Sequence, residues 1–400
     1  MNLATLCKNI ADAIRAKKGT SALINPQDFP TEIASIPTGT VSEPWKAVSF
    51  IDYDGTVVYS YTAAEFALLT EMPENPTRQG LTAQGWNWTL SDAQTYVATY
   101  GEIVIGQNYI TDDGTTRLYI TMSGSGRLSP SIFFQQSDAN GIEVSWGDGA
   151  TNTSSSTGNI SMSHSYSTEG DYVITLKVLS GTLALGQGST SGALMGGGNS
   201  RQVYRSMLKK VEMGNATLTA NTLYDHKGIE AISIPTGVAM VQNCFYSCIS
   251  LRAVVVPSGV TSLATSTFFG CYSLDAVSIP KSLATMNANG FSTVQTIGRI
   301  TISDSIASIP ASAFNSCYAI SKFIIPSSVS AIAASAFANC YGVKIYDFSN
   351  HASVPTLADA SAFGNIPSDC EIRVPAALET TWKTTAPWDD ASIVGHIVGV

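Results

Sequence analysis

One phenylalanine recurs at an unbroken interval of 23 residues, at Phe245, Phe268, Phe291, Phe314 and Phe337. Three residues after each stands Cys248, Cys271, Val294, Cys317 or Cys340. An identical residue at a fixed period occupies the same place in successive coils and stacks on its own copies, so the second half of the chain must be a solenoid. Each period also carries an alternating apolar pair, Ile232/Ile234, Val254/Val256, Val277/Ile279, Ile300/Ile302 and Phe323/Ile325. Alternation predicts a short strand per coil, stopped by Pro235, Pro257, Pro280 and Pro326. A degenerate forerunner begins at Leu208 and a fading copy at Val343.

The phrases LRAVVVPSGVTSLATSTFFGCYS and ISKFIIPSSVSAIAASAFANCYG resemble BspA-like leucine-rich repeats. Val294 departs from that pattern where a Cys is usual, and Ser303 where a strand-ending Pro is usual. The cysteines of one ladder lie along a line, whereas a zinc site needs a tetrahedral cage, so they read as buried, inert thiols. The stretch VPAALETTWKTTAPWDDASI resembles the closing segment of such arrays, which implies a C-terminal cap over 349–400.

Four further segments precede the array. Residues 1–40 read as a small helical unit, with Leu3, Leu6, Ile10 and Ile14 on one stripe and Phe29 and Ile33 closing onto it. The wording ADAIRAKKGTSALINPQDFPTEIASI resembles the N-terminal segment of many tail and fibre proteins of phages and prophages, which implies a virion-docking role for those six apolar residues. Residues 44–113 alternate strand-like and helical signals, and Pro73, Pro76, Gly80, Gly85 and Trp86 resemble the InlB-type B repeat, implying a β-grasp-like spacer. Residues 115–180 read as a β-sandwich; their WGDG phrase at 146–149 and His164-Ser165-Tyr166 resemble PKD domains, an Ig-like fold. Residues 181–207 are too rich in glycine for regular elements and are expected to form an irregular connector to the array at 208–348.

The expected fold class is therefore multidomain and mainly β: a helical unit, an α+β module, a sandwich and a leucine-rich-repeat solenoid. At 400 residues and 44% hydrophobic, the chain can bury several cores. A net charge of −9 with no basic run disfavours nucleic acid as a partner. No apolar run reaches the roughly 18 residues a membrane span needs, and the first residues lack an export signal, so neither Sec export nor membrane insertion is expected.

Several phrases invite chemistry. Phe50-Ile51-Asp52-Tyr53-Asp54-Gly55-Thr56 resembles the first motif of haloacid-dehalogenase phosphatases, where Asp52 would be the nucleophile and Asp54 the general acid. The later Lys, the distal acidic pair and the alternating fold that this chemistry needs do not follow, so a surface hairpin turn is the stronger expectation. Asp148 reads as a turn-stabilising residue, and the four histidines form no metal-binding pair. No enzyme activity, cofactor or metal is expected.

What remains is surface. Ala231, Ala253, Ala276, Arg299 and Lys322, with the row Ser233, Val255, Ser278, Thr301 and Ile324, are the outward strand positions, a face for a partner or for a sister domain. Tyr272, Tyr318 and Tyr341 follow the ladder cysteines and either offer aromatic platforms to glycan rings or pack between coils. These readings converge on a non-enzymatic virion protein of the tail-fibre, tail-tip or baseplate kind, assembled in the host cytoplasm. It would be present in several copies or as a homo-oligomer, contacting other virion proteins by its N-terminus and a host glycan or protein by its solenoid. The competing expectations are a capsid or neck decoration protein and a bacterial surface adhesin.

Overall fold

In the computed structural model, which describes residues 46–123, 128–196 and 201–400, the 23-residue period becomes a stack of parallel coils. Strands at Ala253–Val255, Ala276–Ser278 and Arg299–Ile300 pair in parallel, as do those at Lys322–Ile324, Ile345–Asp347 and Glu371–Val374. Phe245, Phe268, Phe291, Phe314 and Phe337 stack face to face with centroids 5.1–5.6 Å apart. Phe363 extends the ladder, 5.5 Å from Phe337, after an interval stretched to 26 residues. Each coil needs two left-handed backbone positions. Asn243, Ser266, Asn289, Ser312 and Ser335 fill the first, and Ser247, Gly270, Thr293, Ser316 and Asn339 the second. Short polar residues and glycine tolerate that conformation best.

The first residues of the described region form a mixed sheet. β1 (Val48–Ile51) pairs antiparallel with β2 (Val57–Tyr61) and parallel with β4 (Ile103–Thr111), and β4 pairs antiparallel with β3 (Leu81–Trp86). Between them run a short helix α1 (Ala63–Ala67) and α2 (Leu90–Tyr100). Thr62 and Glu65 form a capping box at α1, and Thr89 caps α2. Val48, Phe50, Ile103 and Ile105 bury one face of the sheet against Phe66, Trp88, Ala93 and Val97.

Next comes a two-sheet sandwich. One sheet holds β5 (Thr116–Met122), β7 (Ile142–Ser145), β8 (Thr151–Thr153) and β10 (Gly170–Val178). The other is built on β6 (Ser131–Gln136), flanked by β9 (Gly158–Ser163), β11 (Leu183–Leu185) and β12 (Met195–Gly196). The connector expected to be irregular over 181–207 thus supplies two strands, followed by helix α3 (Arg201–Met207). Its glycines bound the short elements: Gly181, Gly186 and Gly188 all take positive φ at the turns.

Both sandwich sheets run on into the solenoid. β13 (Leu208–Glu212) pairs antiparallel with β5 and parallel with the first coil strand β15 (Ala231–Ser233). On the other side β11 pairs in parallel with β14 (Thr217–Leu218). The sandwich core, including Leu118, Phe134 and Trp146, is continuous with the Phe ladder as far as Ile397. Residues 47–400 form one compact unit, so neither module before the array stands off as a spacer. At the far end α4 (Glu379–Thr384) buries Trp382 beside Trp388 and Phe348, and Ile397–Gly399 pairs with Glu371–Val374. Among the described residues, no helix is long and apolar enough to cross a membrane. The helical unit expected over 1–40, with Leu3, Leu6, Ile10, Ile14, Phe29 and Ile33, lies outside the described residues.

Phe291 stacks on Phe268 and Phe314, so Phe291→Ala opens a void in mid-ladder that the neighbouring coils cannot close. The expected loss is about 3–5 kcal/mol, read as a lower urea midpoint.

Candidate functional site

The outward strand row is covered by the chain itself. Ser233, Val255, Ser278, Thr301 and Ile324 are all buried, and β4 lies across the first four coils of this row. Ile103 and Ile105 point into their own module, leaving Val104 and Gly106 on the solenoid side. The Val104 N–H donates to Thr301 Oγ1 at 2.9 Å and its carbonyl accepts from Ser278 Oγ at 2.9 Å. At Gly106 a Cβ would meet the Val255 methyls at 2.5 and 2.6 Å, and at Gly55 it would meet Ala253 Cβ at 2.9 Å. Arg299 pairs with Glu102 across the seam at 3.6 Å, while Lys322 pairs with Asp347 of the next coil at 3.1 Å. Of the two expectations for this row, a face open to a partner is corrected, and contact with a sister domain is what the structure has, with residues 47–111 as the occupant. Alternation tells which side chains leave the solenoid core, and carries no information on what lies above them.

The seam follows the coil repeat. The carbonyls of Ile234, Val256 and Ile279 each precede a strand-ending proline, which has no N–H to offer a neighbouring coil. Asn108 Nδ2 donates to Ile234 at 3.4 Å, Asn87 Nδ2 to Val256 at 3.1 Å and Trp88 Nε1 to Ile279 at 2.7 Å. One coil further, the Tyr96 hydroxyl donates to Ile302 at 2.8 Å. Four consecutive coils are capped at the same level by four side chains of one module. Asn87 is fully used, since its Nδ2 also donates to Ser278 Oγ at 2.9 Å and its Oδ1 accepts from the Gly106 N–H at 2.9 Å.

On the turn side, the tyrosines after the ladder cysteines are exposed: Tyr272 by 46%, Tyr318 by 40% and Tyr341 by 55%. They do not pack into the coils. Tyr318 and Tyr341 stack on each other at 5.7 Å. A second, half-buried stair of Tyr224, Tyr246 and Phe269 stacks at 4.7 and 4.8 Å. Stacking covers one face of each ring in the Tyr318–Tyr341 pair, and the Tyr341 hydroxyl donates to Asn339 Oδ1 at 3.2 Å.

The phrases suggestive of chemistry resolve as structure. Asp52–Thr56 does form the β1–β2 turn, with the Thr56 N–H donating to Asp54 Oδ1 at 2.9 Å. Its first residue is not on the surface, as a surface turn would have it. Asp52 is buried, ion-paired with Arg78 and hydrogen-bonded by the Tyr53 N–H at 2.8 Å, and burial raises its pKa. The Asp52 side chain has no exposed surface, so a phosphate has no approach to its carboxylate. Asp148 accepts from the Ala150 N–H at 3.1 Å and pairs with His164 Nε2 at 2.6 Å, and His164 stacks on Trp146. The hydrogen bond from His164 holds the Asp148 carboxyl below its usual range.

Each ladder thiol donates to the coil before it: Cys248 to Leu223 O at 3.0 Å, Cys271 to Phe245 O at 3.0 Å, Cys317 to Phe291 O at 3.2 Å and Cys340 to Phe314 O at 3.1 Å. Burial pushes the thiols of Cys271 and Cys340 up to about 12, so they stay protonated and unreactive. His226 is also buried. Its Nε2 accepts from the Met195 N–H at 3.1 Å, tying β12 to the first coil, and burial with the nearby Arg205 lowers its pKa to about 3. Among the described residues, no group of His, Cys, Asp and Glu is placed to hold a metal ion.

Coils of this length, with a short parallel strand and a stacked apolar ladder, mark the second half of the chain as a leucine-rich-repeat array. Residues 216–366 match the family described as the BspA type leucine rich repeat region, in six copies. Solved structures similar to this chain include a leucine-rich repeat protein from Bacteroides ovatus, 18% identical over 42% of this chain and 49% of that one, with a TM-score of 0.36. They also include a leucine-rich repeat protein from T. pallidum, 24% identical over 34% of this chain and 67% of that one, with a TM-score of 0.27. A leucine rich cell surface protein from Faecalibacterium prausnitzii is 20% identical over 42% and 68%, with a TM-score of 0.24. The chain thus spans about half the length of the Bacteroides ovatus protein. No curated protein matches it.

Because the seam closes without space for a methyl group, Gly106→Ala is expected to destabilise the protein by roughly 1–3 kcal/mol. Val255→Ala in the same chain should return part of that loss, read as a coupling energy in a double-mutant cycle by urea unfolding.

Proposed function

We propose that this chain is a non-enzymatic binding scaffold that contacts its outside partner through the exposed turn ridge, and that it is carried on a phage virion. The observation that supports the ridge is the occupied strand face: with Val255, Ser278 and Thr301 buried, the exposed Tyr272, Tyr318 and Tyr341 are the organised aromatic surface left outward. Tyrosine supplies large contact area with few rotamers and a hydroxyl for hydrogen bonding, which suits protein recognition. The exposure of Tyr272, Tyr318 and Tyr341, with Tyr318 stacked on Tyr341, gives such a partner an aromatic ridge of fixed geometry.

The virion assignment rests on the resemblance of residues 1–38 to the N-terminal segment of phage tail and fibre proteins. In this reading residues 1–40 dock to other virion proteins during assembly in the host cytoplasm, and 47–400 act as one rigid head. In the same reading the module expected over 44–113 is β-grasp-like, supported by the strand order β2-β1-β4-β3, and the sandwich is PKD-like, supported by the contacts among Trp146, Asp148, His164 and Tyr166. Several copies on one particle would raise weak single contacts to useful avidity.

A single particle-based experiment separates the two halves. Deleting residues 1–38 is expected to abolish incorporation, seen by antibody labelling of purified particles. The triple change Tyr272→Ser, Tyr318→Ser, Tyr341→Ser is expected to leave incorporation intact and cut host adsorption about tenfold or more, the scale of 1.4 kcal/mol or above lost from an interface centre. Normal incorporation of the truncated chain contradicts the docking role, and undiminished adsorption of the triple variant contradicts the ridge.

A further inference from the structure

A cleft of about 430 Å³ opens where the mixed sheet, the sandwich and the first coil meet. Its walls are Tyr53 from the β1–β2 turn, Arg78 from the segment before β3, Arg117 and Tyr119 from β5, and Lys210 and Glu212 from β13. That size lies within the range of small-molecule sites, roughly 300–1,000 Å³. It stands apart from the turn ridge and does not depend on it.

The cleft is rich in donors and poor in free acceptors. Arg78, Arg117 and Lys210 retain side-chain exposures of 34%, 17% and 32%, deep enough for partial desolvation yet open to a ligand. Glu212 is the one carboxylate in the lining, and both its oxygens are taken: Oε2 accepts from the Tyr119 hydroxyl at 2.7 Å and Oε1 from Lys210 at 2.8 Å. Arg117 reaches Gly80 O at 2.8 Å and the exposed Asp112 and Asp113 at 3.1 and 2.9 Å, and Arg78 turns back to Asp52 and Thr77 O. A guanidinium has five N–H groups and an ammonium three, so donors remain after these contacts.

The charge balance selects among anions. Three cations (Arg78, Arg117, Lys210) face four carboxylates (Asp52, Asp112, Asp113, Glu212), leaving the cluster at −1 on a chain of net charge −9. That field opposes every anion, a phosphate dianion about twice as strongly as a monocarboxylate. A single carboxylate can be held by short-range charge-assisted hydrogen bonds, and ligand hydroxyls can accept from the remaining N–H groups and the phenol of Tyr53. The geometry points to this cleft as a binding site for a sugar bearing one carboxylate, a uronate.

The test is isothermal titration of the full chain at matched ionic strength with sodium glucuronate, glucose and inorganic phosphate. Glucuronate should bind saturably, and glucose and phosphate each at least about tenfold more weakly, the difference one lost charge-assisted contact makes. Lys210→Met should weaken glucuronate about tenfold or more. Tyr53→Phe, which removes one hydroxyl and leaves the packing, should weaken it severalfold with an unchanged melting temperature, so the proposal stays testable if Lys210→Met does not fold. No saturable heat with glucuronate, phosphate binding as tightly as glucuronate, or full affinity in Tyr53→Phe would each overturn it.

Discussion

The row of strand-end carbonyls, three of them directly in front of a proline and the fourth in front of Ser303, is the constraint around which this molecule is arranged. Parallel coils satisfy their backbone groups by stacking, but proline has no N–H, so the stack leaves one acceptor per coil unmatched at that level. A buried acceptor without a partner costs about 1–3 kcal/mol, and four in a row could not be ignored by a fold of ordinary stability. Asn108, Asn87, Trp88 and Tyr96 answer them one by one. The four side chains belong to one mixed sheet and its helix, so capping the carbonyls also sets the module on the strand face and shuts that face to other partners.

A solenoid must also end somewhere, and each open end is an unpaired edge. At the start, the sandwich takes the place of a previous coil: β13 continues one sheet into β15, and β11 continues the other into β14. At the far end, Ile397–Gly399 adds the last strand, and α4 with Trp382 and Trp388 covers the core behind it. Sandwich and coils share one core, which is why a cavity in the Phe ladder is expected to weaken the head as a whole.

The repeat was legible because a 23-residue period in Phe and Cys is a long-range pattern written on one strand of sequence. The thiol ladder was legible for the same reason, as was the turn role of Asp148. The boundary at 180 was misplaced because glycine density reads as loop, whereas Gly181 and Gly186 only bracket a three-residue strand that a neighbouring sheet makes stable. The partner of the strand face was hidden for a different reason. Asn87, Trp88 and Tyr96 lie in and before a helix, about 170–206 residues from the carbonyls they cap, and single polar residues at that separation leave no periodic trace. Gly106 was the one available signal, a glycine directly after the β-branched run Ile103-Val104-Ile105, which marks close approach of another backbone or side chain. The buried Asp52 likewise pairs with Arg78, a partner that the motif itself does not encode.

The central claim is that residues 47–111 seal the strand face of the solenoid. Ser278, buried at the middle of that seam and nearly isosteric with cysteine, reports on it directly. In Ser278→Cys, pulsed labelling with a maleimide under native conditions should give no modification beyond that of the parent chain until denaturant unfolds the protein. Labelling of the native protein at the rate of an exposed thiol would show that the face is open and contradict the account.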